Sequence, residues 1–399
     1  MAQVVRLRGA RVALTATHAE RIDPVLKGGR ILPFDSRPDN PAELDLSGHL
    51  LLPGLINAHD HLEFNLFPRL GHGPYPNASS WATDIHHPGQ SPLKEHLLVP
   101  KNVRLIWGGI KNLLSGVTTV AHHNPYDPTI FTGQFPVRVV NRYGWAHSLD
   151  FSPDTRDLWK RTPVRWPFIV HAAEGTDERA HSEIQRLKEL GVLDRRAILV
   201  HAVGTTPRDL ETICLSGSSI VWCPSANLFT LGRTLPFETI TSGLPIALGT
   251  DSALTGEGDL IDEIKSATHA AALTPLDIYP LVTTNAARML RLNGGPGMIR
   301  ERGMADMVAV ADTGQMPPDA LADLRPELVI VRGRVMLMSD RFASRGGIPR
   351  STAFHPGFHP INVEGRGRFL IRADVPHLFD AAAKAIGPDV RLAGKRIWR

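Results

Sequence analysis

Four apolar runs from distant parts of the chain each end in a side chain that can bind a metal ion. LLPGLINAHDH ends on His59 and His61, FIVHAAEG carries His171 and Glu174, AILVHAVG carries His201, and IALGTDS carries Asp251. Side chains two apart on a β-strand point the same way, so His59 and His61 share one face while Asp60 takes the other. Two imidazoles on one wall are half a metal site. A third His, a carboxylate and a Glu three positions after a His supply the remaining ligands and a proton carrier. In a chain where 18 of 399 residues are His, each of these taken singly reads equally well as a hydrogen-bonded structural residue. The joint order HxH, HxxE, His, GTD, each member after an apolar run, argues instead for a hydrolytic metal site.

A chain of 399 residues exceeds one compact core, so a large barrel-type domain with a smaller companion is expected. With 42% hydrophobic and 21% charged residues it has the composition of a soluble globular protein, and no apolar run approaches the length of a membrane span. The opening MAQVVRLRGARVAL alternates apolar residues with Arg and lacks the apolar core of a signal peptide, so a cytoplasmic location is expected. Cys214 and Cys223 are too few for a disulfide framework and read as small buried hydrophobes. The formal charge of +4 sits in the tail: from Arg345 onward there are ten Lys/Arg against four Asp/Glu. The rest of the chain is nearly neutral, without the clustered basic stripe and interleaved aromatics of a nucleic-acid binder. The expected partner is a small-molecule substrate, with neither nucleic acid nor membrane, and a homo-oligomer is left open.

Residues 1–52 carry short strand-like runs, and ADMVAVAD with LVIVRGRVMLM repeats the pattern later, so 1–52 and 299–345 are expected to pair into one small composite β-sandwich domain. Between them, over 53–298, strand-like runs alternate with helical stretches, which predicts an α/β fold of the (β/α)8 TIM barrel type. Strands are predicted near 55–59, 117–121, 137–145, 167–171, 197–201, 219–223 and 245–249. That is one short of eight, so a degenerate unit is placed between Trp145 and Trp166. Helical spacing in EIQRLKELGVL predicts a helix over Glu183–Leu193 ending near Gly191. Residues 62–100 form a polar, Pro-rich insertion, too long for an idle connection and expected to cap the substrate pocket. Residues 346–399 read as a packing extension or subunit contact.

These residues resemble the amidohydrolase superfamily, in particular its mononuclear cytosine-deaminase-like and chlorohydrolase-like branch. LPGLINAHDH is similar to the family's first-strand signature, SGVTTV to its second, HAAEG to its fifth, LVHAVG to its sixth, CPSAN to its seventh and LGTDS to its eighth. The resemblance implies that His59, His61, His171 and Asp251 bind one divalent ion, Zn2+ or Fe2+. It further implies that His201 hydrogen-bonds the attacking water or the substrate oxygen, that Asp251 takes a proton from that water, and that Glu174 shuttles protons. Three neutral imidazoles and one carboxylate leave the ion a net positive charge, enough to lower a bound water's pKa toward ~7. A two-metal version needs a bridging carboxylate, usually a modified Lys ending the fourth strand; Lys160, in the charged stretch RDLWKRTPVRW, does not qualify.

The implied reaction is hydrolytic deamination of an amino-substituted heterocycle. The alternatives are ring opening of a cyclic amide, as in imidazolonepropionase-like relatives, a dehalogenating hydrolase, and a catalytically silent scaffold of the same fold. Further candidates for substrate contact are His122 and His123 after the GVTTVA strand, His147 after YGWA, Ser225 and Asn227 in CPSANLF, and Trp81 with Phe64 and Phe67 in the insertion. Asp60 and Glu63 are candidates to orient a ligand imidazole or to form ordinary salt bridges. His72, His86, His87 and His96 read as surface or loop residues. Cys223, in an apolar strand, does not read as a nucleophile.

Overall fold

In the computed structural model, which describes residues 3–345 and 357–399, eight short strands carry the apolar runs. They are β1 (Leu55–Asp60), β2 (Val117–His122), β3 (Arg138–Val139), β4 (Gly144–Ala146), β5 (Phe168–Ala172), β6 (Ala197–His201), β7 (Ser219–Trp222) and β8 (Ile246–Leu248). They form two parallel arcs, β3-β2-β1 and β4-β5-β6-β7-β8. Asp60, the last residue of β1, makes a single parallel bridge to Asp251 just beyond β8. No ladder joins β3 to β4 among the described residues. Every position of β1, β2 and β5–β8 is buried, so these strands read as continuous apolar runs rather than alternating ones.

The predicted single strand over 137–145 is in fact two. Asn141 and Arg142 are exposed and take the chain out of the sheet, which it re-enters at Gly144. A Cβ at Gly144 would overlap the Thr162 side chain, so only glycine lets β4 lie there. The eighth strand therefore lies within 138–146, not between Trp145 and Trp166, where the chain folds into the helix Thr155–Arg161. The helix expected over 183–193 spans Glu178–Glu189, starting earlier because the Asp177 side chain accepts from the Ala180 N–H and caps it. Gly191 follows in the left-handed conformation. The helices Pro207–Ser216, Leu260–Ala271 and Pro275–Leu281 begin with capping boxes, Thr206 with Asp209, Asp259 with Asp262 and Thr274 with Asp277.

The insertion after β1 is folded rather than loose, holding the short helices Ala78–Ile85 and Leu93–Leu98. Asn77 caps the first of them and bridges Gly175, while the Ala78 N–H donates to the Glu174 carbonyl at 3.0 Å. The insertion is thereby fastened over the carboxyl end of β5.

The two ends of the chain meet in one ten-stranded sheet. His49–Pro53 pairs antiparallel with Met307–Ala311, which continues through Leu328–Val331 and Arg334–Ser339. The described residues of the tail join the same sheet. Gly367–Arg372 pairs with Arg334–Ser339, and Phe358–Val363 and Lys395–Trp398 carry the same sheet further; residues 346–356 lie outside the described residues. A second sheet of four strands comes from residues 4–45. Leu7, Leu26 and Leu44 of this sheet share one apolar cluster with Leu51, Met307 and Ile330 of the larger. The tail helix Val375–Ile386 accepts a hydrogen bond through the Leu378 carbonyl from Trp107, whose indole is fully buried in the helix Lys101–Leu114. No helix among the described residues is long and apolar enough to cross a membrane.

Candidate metal centre

Each residue of the HxH, HxxE, His and GTD set stands at or just past the carboxyl end of its strand, the edge at which parallel α/β sheets assemble their active sites. The backbone turns sharply there. Ala173, His201, Ala202 and Asp251 all have positive φ, at 50°, 73°, 53° and 52°, a conformation that costs a non-glycine residue on the order of 1–3 kcal/mol. The strain redirects the chain so that side chains of β5, β6 and β8 turn toward those of β1.

The donors converge. His59 Nε2 lies 3.3 Å from His171 Nε2 and 3.7 Å from Asp251 Oδ1, and His61 Nε2 is 3.5 Å from the same oxygen. His201 joins His59 and His171 in a second overlapping group whose donor atoms all lie within 4.8 Å of one another. Tetrahedral ligands about 2.0–2.2 Å from an ion stand about 3.3–3.6 Å apart, so the spacing suits a small divalent cation. The hydrogen-bonding of the outer nitrogens agrees. His171 Nδ1 lies 2.8 Å from the His147 carbonyl and His201 Nδ1 2.7 Å from Asn227 Oδ1. Both partners accept, so each Nδ1 carries the proton and each Nε2 presents a lone pair to the centre.

The electrostatics favour neutral imidazoles around one anion. Burial pushes His59 down to about 4, and burial with neighbouring imidazoles carries His171 well below the usual range. Burial would raise the Asp251 carboxyl, yet the contact with His59 and the nearby imidazoles hold it below the carboxylate range. Its other oxygen accepts from the Thr255 hydroxyl at 2.6 Å. Glu174 stands across the cavity, Oε1 3.5 Å from His201 Nε2, and burial raises it to about 7. A carboxyl held protonated near neutral pH can give up a proton as an acid and recover it as a base.

Beside these groups opens a cavity of about 290 Å³. His147, Trp81 and Phe64 line it, and so do Ile85, Phe151, Ser252 and Leu254, which sequence reasoning does not single out. His86 also lines it and is no mere loop residue, because the helix Ala78–Ile85 ends against the mouth. Phe67 is instead buried beneath Arg104 and His96 and anchors the insertion.

Four predicted substrate contacts do not reach this cavity. His122 turns away to accept from the Leu62 N–H and face Glu63, 3.6 Å from its carboxylate. His123 points beneath the centre, against His59. Ser225 is buried and donates to Glu263, burial raising that carboxyl to about 8. Asn227, two residues on in the helix Pro224–Leu231, holds His201. Strand alternation and the short helix after β7 send these polar groups behind the wall rather than into the opening. Nor does Asp60 orient an imidazole: it pairs with Lys111 at 2.8 Å and accepts from Asn57, Asn65 and Asn112. Glu63 approaches His122 and Lys101. Cys223 is fully buried and its thiol is pushed far up, chiefly by burial, so it is inert as a nucleophile. Lys160 is exposed on the helix Thr155–Arg161.

Residues 167–336 match the amidohydrolase family. The chain is similar to 5'-deoxyadenosine deaminase of Methanothrix thermoacetophila, 25% identical over 361 residues that cover 76% of this chain and 84% of the relative. It is also similar to 5-methylthioadenosine/S-adenosylhomocysteine deaminase of Pyrococcus horikoshii, 23% identical, covering 74% and 83%. Among solved structures, an adenosine deaminase from Xanthomonas campestris with bound zinc superposes with a TM-score of 0.70 at 16% identity, over 96% of this chain and 97% of that one. The matched region, an amidohydrolase-family domain, carries His171, Glu174, His201 and Asp251.

Proposed function

We propose that this protein hydrolyses a C–N bond of an amino-substituted heterocycle and releases ammonia, at a divalent zinc or iron(II) ion held by His59, His61, His171 and Asp251. The observation that carries the reading is the convergence of three Nε2 atoms and one carboxylate oxygen, 3.3–3.7 Å apart where measured, at the rim of the parallel strands. Deaminases among the relatives favour an aminopurine-type ring. The two arcs, with β3 as the degenerate unit, make up a (β/α)8 barrel over 53–298. The sheets built from 1–52 and 299–345 make up a composite β-sandwich domain, with 346–399 appended to it. The protein acts on a small molecule as a soluble, cytoplasmic enzyme.

Bound at this site, the ion supplies Lewis acidity that brings a water's pKa toward ~7. Asp251 accepts the proton the water surrenders, with Thr255 fixing the other oxygen in place. His201, its Nδ1 proton committed to Asn227, offers Nε2 as an acceptor that orients the water. Glu174 gives its proton to the ring nitrogen beside the carbon under attack, which lets that nitrogen take up electron density. As the tetrahedral carbon collapses, the proton held by Asp251 passes to the exocyclic nitrogen, which leaves as ammonia, and the new hydroxyl returns its proton to Glu174. Zinc-loaded protein should release ammonia from aminopurines with the ring intact. Chelation or His59→Ala should abolish release together with bound metal. An acyclic acid formed without ammonia would overturn deamination in favour of ring opening.

The apolar side of the cavity fits a planar substrate. Trp81 donates its indole N–H to the Leu70 carbonyl at 3.0 Å, which locks the ring's orientation at the wall. Trp81→Ala should therefore raise KM by about tenfold, the equivalent of ~1.4 kcal/mol, with a smaller change in kcat. Steady-state kinetics showing an unchanged KM would remove Trp81 from the substrate site.

A further inference from the structure

We propose that His123 is a positioning residue of the metal centre: it accepts a hydrogen bond from the Nδ1–H of His59 and so keeps His59 in the tautomer whose Nε2 is free for an ion. The inference rests on the metal-centre reading above and extends it to a residue that touches neither cavity nor ion.

His123 Nε2 lies 2.8 Å from the Ala146 carbonyl, and its Nδ1 lies 3.3 Å from His59 Nδ1. A carbonyl oxygen only accepts, so the proton of the neutral His123 ring sits on Nε2 and its Nδ1 is bare. The opposite tautomer would set two lone pairs against each other at 2.8 Å. With His123 Nδ1 bare, the 3.3 Å contact is attractive only when His59 carries its proton on Nδ1. That leaves the His59 Nε2 lone pair facing His171 Nε2 and Asp251. The ring has little freedom to do otherwise: His59 is 0% and His123 1% exposed, and the His123 ring stacks on His171 with centroids 4.3 Å apart. The backbone carbonyl at the end of β4 thus sets a proton on β1 through one intervening imidazole. For His171 and His201 a carbonyl or amide oxygen does the same directly.

The test is the zinc dissociation constant, measured by chelator competition on purified full-length protein, for wild type, His123→Asn and His123→Leu. Asparagine and leucine have the same branched shape, but only asparagine offers an acceptor oxygen. The asparagine variant should bind zinc within about threefold of wild type, and the leucine variant about 10- to 100-fold more weakly. Equal affinities in the two variants, whether both normal or both weak, would overturn the proposal in favour of plain packing. Wild-type protein without zinc affinity would instead sink the metal reading itself. Spectra of zinc-loaded wild type labelled with 15N-histidine keep the proposal testable even where a variant fails to fold. They should show His59 protonated on Nδ1 and His123 on Nε2, and a proton on His123 Nδ1 would overturn it.

Discussion

Glu174→Gln is expected to lower kcat by at least ~10²-fold while leaving zinc content unchanged. The glutamine keeps the size of the side chain and its contact with His201 but cannot deliver a proton to the ring nitrogen. Because burial holds the wild-type carboxyl up to about 7, its acid form is the populated one on the acidic side of neutrality. An acid that must donate loses activity as it ionises, so wild-type kcat should fall as pH rises above about 7, and the residual rate of the glutamine variant should lack that limb. Zinc analysis and a pH–rate profile on the same preparations check both parts. Metal loss in Glu174→Gln would instead make the residue a ligand, and an unchanged kcat would remove it from the chemistry.

Lys111→Met should destabilise the protein by about 3–5 kcal/mol, read from urea unfolding. Lys111 Nζ lies 2.8 Å from Asp60 and 2.9 Å from Thr250 Oγ1, and the lysine and aspartate side chains are only 2% and 0% exposed. Removing the ammonium leaves a carboxylate buried with amide partners alone, which costs far more than the pair contributes. The double variant Asp60→Asn with Lys111→Met should therefore recover most of the loss. The network has a structural task besides neutralisation. Where, among the described residues, a single bridge from Asp60 to Asp251 joins β1 to the chain just beyond β8, Asn57 donates to Thr250 Oγ1, accepts from the Thr250 N–H and contacts Asp60, so side chains close a seam the ladder leaves open. If the single variant unfolded at the same urea concentration as wild type, that seam would owe little to the ion pair.

The chemistry was more legible than the architecture around it. His59, His61, His171, Glu174, His201 and Asp251 could be picked out because each stands at or just past the carboxyl end of a buried parallel strand. Such strands announce themselves as unbroken apolar runs, and their carboxyl ends are where side chains must face the opening. β3 and β4 were harder, since two strands of two and three residues leave no periodicity to detect, and Asn141 and Arg142 between them look like ordinary strand positions.

Local pattern thus decides which side chains arrive at the rim, since period-two geometry and burial act over a few residues. It does not decide what stands behind them. His122 and His123 are neighbours in sequence, yet one turns to the Leu62 N–H and the other to His59. Lys111 lies in a helix, where a lysine ordinarily reaches solvent, and only the approach of β1 and β8 gives it a buried partner. Asn227 resembles a turn residue until β6 brings His201 to within 2.7 Å. Hydrogen bonds and ion pairs of this kind depend on distances between segments far apart in the chain, and those distances exist only once the strands are side by side.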